Sequence, residues 1–167
     1  MLARDEFVAR FGGIFEHSSW VAERAFDATP DISLTSDAVH EALVAPFRDA
    51  SHAERLAVLR VHPDLAGKLA IAGGLTEDSK AEQAGAGLDR LSATEHARFT
   101  ALNTAYTEKF GFPFIIAVKG LNKDDIVAAF ERRIDNNLEE EFETASAQVE
   151  KIALLRLRSL LPGEDNA

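Results

Sequence analysis

The chain has 167 residues, 46% of them hydrophobic, and a formal net charge of −10 at pH 7, which together predict one globular domain over residues 1–167. The acidic balance argues against nucleic acid or an anionic membrane as a partner, because both require a basic patch. The sequence has no cysteine, which excludes disulfides, thiolate catalysis and cysteine-bound metal centres.

The start of the chain carries no recognisable targeting signal. Its first residues, MLARDEFVARF, are charged and lack the long apolar run of a signal peptide. Elsewhere no apolar run approaches the ~18 residues of a membrane-spanning helix. We therefore expect a cytoplasmic protein.

Helical periodicity extends through nearly the whole sequence. One or two helices are predicted over residues 2–27, loosened at Gly12–Gly13, and Pro30 ends this pattern. The next helix has Ser36 as its expected N-cap, and Pro46 is expected to kink or end it.

Further helices are predicted downstream. Two of them open with a serine followed three residues later by glutamate, which is the spacing of a capping box. Another is short and is closed by two glycines at 73 and 74. The predicted starts are Ser51, Pro63, Ser92, Asn122 and Glu139. With about eight helices, no internal repeat and no linker, the sequence predicts an all-α, single-domain bundle.

Residues 110–118, FGFPFIIAV, do not fit this helical pattern. The segment is too short and too interrupted by glycine and proline for a helix, so we predict a short extended piece. In an all-helical protein it has no strand to pair with, and its backbone groups need hydrogen bonds from water, a side chain or a ligand. The alternative is a buried hydrophobic connector without further role.

His62 lies in RVHPDLAGKLA, residues 60–70. Pro63 disfavours helical backbone at His62, so the preceding helix should end there and hold the ring on a stiff backbone. The carbonyl end of that helix favours a protonated imidazole, which suits a proton donor or a carboxylate-binding group. The alternative is a structural histidine that caps the helix.

The remaining histidines give little support for a metal site. They lie within predicted helical patterns, and no pair has the spacing of an HExxH motif. These residues are His17, His40, His52 and His96.

Ser79, Glu82 and Gln83 are clustered in EDSKAEQAGAGLDRL. One interpretation is structural: Ser79 and Glu82 have capping-box spacing, and Gln83 is simply exposed. The functional interpretation is that a carboxylate and an amide at a helix start face a pocket. The small residues that follow would allow a ligand to approach closely.

Arg156 is placed by the periodicity of the last predicted helix. At ~100° per residue it falls in the middle of an apolar stripe. A buried lone charge costs several kcal/mol, so either an internal carboxylate or an anionic ligand should pair with it. Arginine can hold a carboxylate by two parallel hydrogen bonds. The stripe consists of Phe142, Ala145, Val149, Ile152 and Leu160.

Several of these segments together resemble one known family. HPDLAGK, SKAEQ, FGFPFIIAVKG and KIALLRL occur in this order, after an N-terminal FEHSSWVAERA. This arrangement resembles the decarboxylases of 2-oxo-4-hydroxy-4-carboxy-5-ureidoimidazoline (OHCU) over nearly the whole chain. The family consists of all-α enzymes that complete the oxidation of urate to S-allantoin.

The resemblance implies a cofactor-free decarboxylase, without metal, that acts on a small ureido-imidazoline and forms a homodimer. It implies catalytic roles for His62 and Glu82. It also implies that a further set of residues contacts the substrate. Among them, Phe114, Ile115 and Ile116 do so through their backbone. This set is Pro63, Ser79, Gln83, Phe114, Ile115, Ile116 and Arg156.

Two other functional classes stay open at this stage. One is a hydrolase of a related ureide, in which His62 and Glu82 activate water. The other is a helical binding module that retains the fold but has lost activity. Stoichiometric release of CO2 separates the decarboxylase from both.

Overall fold

The computed structural model describes residues 1–67, 70 and 72–161. Within these residues the secondary structure is eight α-helices and no strand, which confirms the all-α prediction. The helices are α1 (Arg4–Phe11), α2 (Trp20–Ala28), α3 (Ser36–Asp49), α4 (His52–Arg60), α5 (Glu77–Gly85), α6 (Ala93–Phe110), α7 (Lys123–Arg133) and α8 (Leu138–Leu160). None of these helices is long and apolar enough to span a bilayer.

Helix α3 departs from the prediction at both ends. Its N-cap is Thr35, whose side chain accepts a hydrogen bond from the Ala38 N–H at 3.2 Å, so Ser36 is the first helical residue and not the cap. Pro46 lies inside the helix and does not end it. Burial of Phe47, which is fully enclosed, holds the final turn in place against the missing hydrogen bond of the proline.

Three predicted helix starts are confirmed by their capping contacts. Ser51 and Ser92 each form a capping box with the glutamate three residues on. The Asn122 side chain accepts a hydrogen bond from the Asp125 N–H at 2.9 Å and caps α7. These starts could be predicted because both partners lie within one turn of sequence.

Two local predictions need correction. His17 is not helical: the glycines at 12 and 13 end α1, and His17 lies in the following turn with a φ of 55°. The short helix predicted from Pro63 does not begin there, because residues 63–67 are non-helical. Further along the same prediction, Ala70 and Ala72 are helical and Gly73 lies in a turn, whereas Lys68, Leu69 and Ile71 lie outside the described residues.

The chain divides into two compact units. The first contains Met1–Val61 and the chain from Val149 onwards. Its interior is rich in phenylalanine, and the rings of Phe15 and Phe47 lie 5.2 Å apart. The C-terminal part of α8 is tied to α3 within this unit, since the His40 ring nitrogen Nε2 lies 2.8 Å from the Glu150 carbonyl.

The second unit is His62–Gln148 and has an aromatic core. Tyr106 on α6 is fully buried at its centre. Four phenylalanine rings lie between 4.7 and 6.2 Å from the Tyr106 ring. They are Phe110, Phe112, Phe114 and Phe130. This cluster packs α6 and α7 around residues 112–118, the segment predicted to be non-helical.

Candidate functional site

His62 follows directly after the end of α4. The helix stops at Arg60 and Val61 is its C-cap, so the helix ends before Pro63 as predicted. The His62 side chain is buried, with 9% of its surface exposed. A proline on one side and a helix end on the other restrict the backbone that carries this ring.

The loop after His62 is held by two side chains from other helices of the second unit. Gln83 accepts a hydrogen bond from the Ala66 N–H at 2.9 Å and donates one to the Asp64 carbonyl at 3.2 Å. Asn103 on α6 donates to the Leu65 carbonyl at 2.9 Å. Three consecutive residues of the loop are thereby fixed through their backbone, although Ala66 has an unfavourable φ of 52°.

The predicted polar residues Ser79, Glu82 and Gln83 all lie on helix α5. Its N-cap is Thr76, which accepts a hydrogen bond from the Ser79 N–H at 3.2 Å, so the interpretation of Ser79 as a capping residue is wrong. Ser79 and Gln83 are one turn apart and buried, at 4% and 5% exposure. Gln83 is therefore not an exposed residue, and the half-buried Glu82 lies beside it on the helix.

Arg156 is buried on α8, with 6% of its surface exposed. Four of the five stripe residues named above are buried with it, which confirms the periodicity argument there. Leu160, the last residue of the helix, is the exception at 54% exposure. Within the first unit, Arg156 Nη1 lies 3.4 Å from the Ile14 carbonyl and donates to it.

Residues 113–118 are neither helix nor turn. Two of their backbone groups are hydrogen-bonded by side chains. Arg133 Nη1 donates to the Ile115 carbonyl at 2.7 Å, and the Ala117 N–H donates to Gln148 Oε1 at 2.9 Å. Water, a side chain and a ligand were the possible partners for the backbone of this segment. Side chains supply at least these two hydrogen bonds.

Arg133 belongs to a buried polar network. Its Nε donates to Glu141 Oε1 at 2.6 Å, and Nη2 lies 2.5 Å from the same oxygen. Glu141 is fully buried and also accepts from the Tyr106 hydroxyl at 2.5 Å and from Asn136 Nδ2 at 3.0 Å. Burial, and next the hydrogen bond to Glu141, raise the pKa of Tyr106 above its ordinary value, so the phenol remains a donor.

Sequence reasoning missed Arg133 although the signal was present. Ile126, Ala129, Phe130 and Arg133 follow helical spacing and are all buried, which is the pattern that identified Arg156. Gln148 and Asn103 gave no comparable signal. Their roles depend on backbone groups 31 and 38 residues away in sequence.

Among the described residues, neither a cavity in the first unit nor a cluster of metal-binding side chains adds residues to this candidate site. A cavity of about 670 Å³ in the first unit lies between α2 and α3 and is lined by residues such as Arg24, Glu41 and Pro46. It contains none of the predicted site residues. Among the described residues, no three histidine or carboxylate side chains are grouped so that they could hold a metal ion.

Comparisons with known proteins place this all-α chain in a family of small-molecule decarboxylases. The model of the OHCU decarboxylase family matches residues 1–158, and the chain belongs to that family. A relative from Haloferax volcanii, named 2-oxo-4-hydroxy-4-carboxy-5-ureidoimidazoline decarboxylase, is 46% identical over 160 residues, covering 96% of this chain and 92% of that protein. A mouse protein of the same name is 36% identical, covering 93% and 86%.

Longer relatives contain a similar region. The uric acid degradation bifunctional protein of a Bacillus strain is 38% identical over 99% of this chain, which spans 32% of that protein. A solved structure described as (S)-allantoin synthase aligns with a TM-score of 0.75 and 32% identity, covering 96% of this chain and 51% of that one. A structure of OHCU decarboxylase in the presence of (S)-allantoin aligns at 0.68 and 25% identity, covering 86% and 91%.

Proposed function

We propose that this chain catalyses the decarboxylation of OHCU to (S)-allantoin in urate degradation. Family membership and the 46% identical relative support this reaction. The observation that carries it is the fixed loop of His62: a buried imidazole, set between a helix end and Pro63, in a loop whose next residues are clamped by Gln83.

The reaction needs neither a redox group nor an external nucleophile. The bond between C4 and the carboxylate breaks, CO2 leaves, and the electron pair forms a double bond from C4 to the ureido-bearing C5 while the former C=N nitrogen takes up a proton. The 4-hydroxyl then loses its proton as C4 becomes a carbonyl, and one proton is added to C5. Delivery of the proton to one face gives a single enantiomer. The protein must orient the breaking bond, stabilise the enolate-like intermediate and place one proton donor.

His62 and Glu82 are the proposed catalytic pair. A buried histidine on a rigid loop can donate the proton or steer the departing carboxylate by a hydrogen bond. Glu82 on α5 is proposed to orient His62 or the substrate hydroxyl. Its position one residue before Gln83, which touches the His62 loop, supports this assignment within the second unit.

The remaining proposed contacts follow the family resemblance. Ser79 is buried on the same helix as Glu82, and Arg156 is proposed as an anchor for the substrate because it is a buried guanidinium. Gln83 already makes two backbone hydrogen bonds, so its proposed contact can use only its second N–H or its remaining oxygen lone pair. The other proposed contacts are Pro63 and the backbone of Phe114, Ile115 and Ile116.

The homodimer, the cytoplasmic location and the absence of a cofactor remain predictions from the sequence. The dimer is tested by light scattering of the purified chain. Activity after treatment with a chelator tests the cofactor-free reaction, because a metal-dependent ureide hydrolase would lose its activity.

CO2 release is the direct test of the reaction class. Substrate is generated in place from urate by urate oxidase and hydroxyisourate hydrolase, and CO2 is measured together with allantoin. The proposal predicts one CO2 for each allantoin, formed faster than in the mixture without this protein. Consumption of substrate without accelerated CO2 release would favour a ureide hydrolase instead.

A further inference from the structure

The two backbone hydrogen bonds in residues 113–118 flank one residue, Ile116. Arg133 holds the Ile115 carbonyl, and Gln148 holds the Ala117 N–H. The peptide bonds are trans, so across each one the C=O and the next N–H point in opposite directions. The N–H and the C=O of Ile116 therefore point away from Arg133 and Gln148, respectively.

Ile116 also differs from its neighbours in exposure. The residues on both sides of it, Phe112–Ile115 and Ala117–Val118, are buried, whereas Ile116 is partly exposed. No hydrogen bond between the described residues uses its N–H or its C=O. Ile116 thus offers one donor and one acceptor, within one residue, at the surface of a buried segment.

Arg133, which holds the peptide plane between Ile115 and Ile116, is itself held by Glu141. Glu141 accepts two hydrogen bonds besides those of Arg133, and it has no exposed surface. The Arg133 guanidinium carbon lies 4.2 Å from the centre of the Phe114 ring, and the Phe130 ring stacks on Phe114 at 3.7 Å. Arg133 therefore constrains the segment through the Phe114 side chain as well as through the Ile115 carbonyl.

We propose that Arg133, held by Glu141, and Gln148 are positioning residues that present the N–H and C=O of Ile116 to the substrate. This inference rests on the proposed function. The matching ligand group is an amide-type N–H next to a C=O, which a ureido group or an imidazolidinone edge provides. Pre-alignment of both backbone groups removes the ordering cost from the binding step.

Gln148 offers the cleaner variant, because it is only half-buried. Gln148→Leu removes the acceptor for the Ala117 N–H, and Gln148→Glu retains one. We expect the leucine variant to raise KM about fivefold, the equivalent of one hydrogen bond of ~1 kcal/mol, with little change in kcat. The glutamate variant should keep KM within about twofold of the parent chain.

Arg133→Lys tests the peptide plane between Ile115 and Ile116, which Arg133 holds through the Ile115 carbonyl. Lysine keeps the charge opposite Glu141, but one ammonium group cannot reproduce the fork that reaches both Glu141 and the Ile115 carbonyl. KM should rise at least fivefold. Ile126→Val is the matched control, since Ile126 is buried on the same helix two turns before Arg133. This variant should lower the melting temperature and leave KM unchanged.

A binding measurement separates this inference from the catalytic assignment. In ¹⁵N spectra, (S)-allantoin should shift the Ile116 amide resonance of the parent chain and of Gln148→Glu, and should shift it much less in Gln148→Leu. An Ile116 amide that does not respond in the parent chain overturns the inference, whatever the turnover. A responsive amide in a chain that releases no CO2 supports the inference and overturns the proposed reaction. Equal KM and equal shifts in the leucine and glutamate variants also overturn it.

Discussion

The side chain of Gln83 accepts a hydrogen bond from the Ala66 N–H at 2.9 Å, and its NH2 group donates to the Asp64 carbonyl at 3.2 Å. One amide thus satisfies two backbone groups of the loop that carries His62, one of the two proposed catalytic residues. Gln83→Leu leaves both groups without this partner. We expect a loss of roughly 1–3 kcal/mol in the free energy of unfolding for each group that stays buried, together with a lower kcat.

Gln83→Glu is the matched variant for this contact. A carboxylate still accepts from the Ala66 N–H but cannot donate to the Asp64 carbonyl. At neutral pH this variant buries an unpaired charge against a carbonyl oxygen, so its unfolding free energy, measured in urea, should be no higher than that of the leucine variant, and it should rise towards that of the parent chain at low pH, where the protonated carboxyl can donate to the Asp64 carbonyl. A leucine variant as stable and as active as the parent chain would contradict the role of Gln83 in holding the loop.

Asp64 should make stability depend on pH in a defined direction. Burial raises the pKa of its carboxyl above the 3.8 of an unperturbed aspartate. The folded state then binds the proton more tightly than the unfolded chain. The stabilisation that Asp64 gives the folded state by binding this proton is fully present below the unfolded pKa. It is lost as pH rises through the folded pKa, and above that pKa the free energy of unfolding no longer depends on Asp64 ionisation.

The variant Asp64→Asn isolates this effect, because asparagine does not ionise. The stability of the variant relative to the parent chain should increase as pH rises above about 3.8 and then level off. Urea unfolding of both proteins between pH 4 and pH 8 measures this difference. A difference that is independent of pH would show that burial of Asp64 does not penalise its charged form.

Gly111 ends α6 in a left-handed conformation, with a φ of 78°, just before the segment that contains Ile116. Alanine at this position has a Cβ that clashes with its own backbone. Gly111→Ala should cost roughly 1–2 kcal/mol in the free energy of unfolding. Calorimetry or urea unfolding measures this loss.

Gly85→Ala is the control, because Gly85 is the last residue of α5 and a Cβ there meets no atom within 4 Å. It should be neutral or stabilise by up to about 1 kcal/mol. Equal losses in the two alanine variants would mean that the left-handed backbone is not the cause.

The sequence predicted those features whose causes are local. The stripe that placed Arg156 and the capping pairs at Ser51 and Ser92 each depend on residues within a few turns. Ser79 shows the limit of local reasoning: Thr76 lies three residues earlier and is also a good N-cap, and the structure uses the threonine.

The contacts that hold the non-helical segment were beyond sequence reasoning for another reason. The Ile115 carbonyl and the Ala117 N–H are bonded to side chains 18 and 31 residues away. Periodicity could show that Arg133 is buried, as it did for Arg156. It could not show which backbone group the guanidinium would reach, because that depends on how α7 packs against the segment.

The most direct test of the account follows circular dichroism while allantoin forms from substrate generated in place. The parent chain should give a rapid signal of one sign, because a proton delivered to one face yields one enantiomer. His62→Ala, with an unchanged helical spectrum and cooperative unfolding, should give no more signal than the mixture without enzyme. A folded His62→Ala protein that decarboxylates at the full rate with the same handedness would contradict the catalytic role proposed for His62.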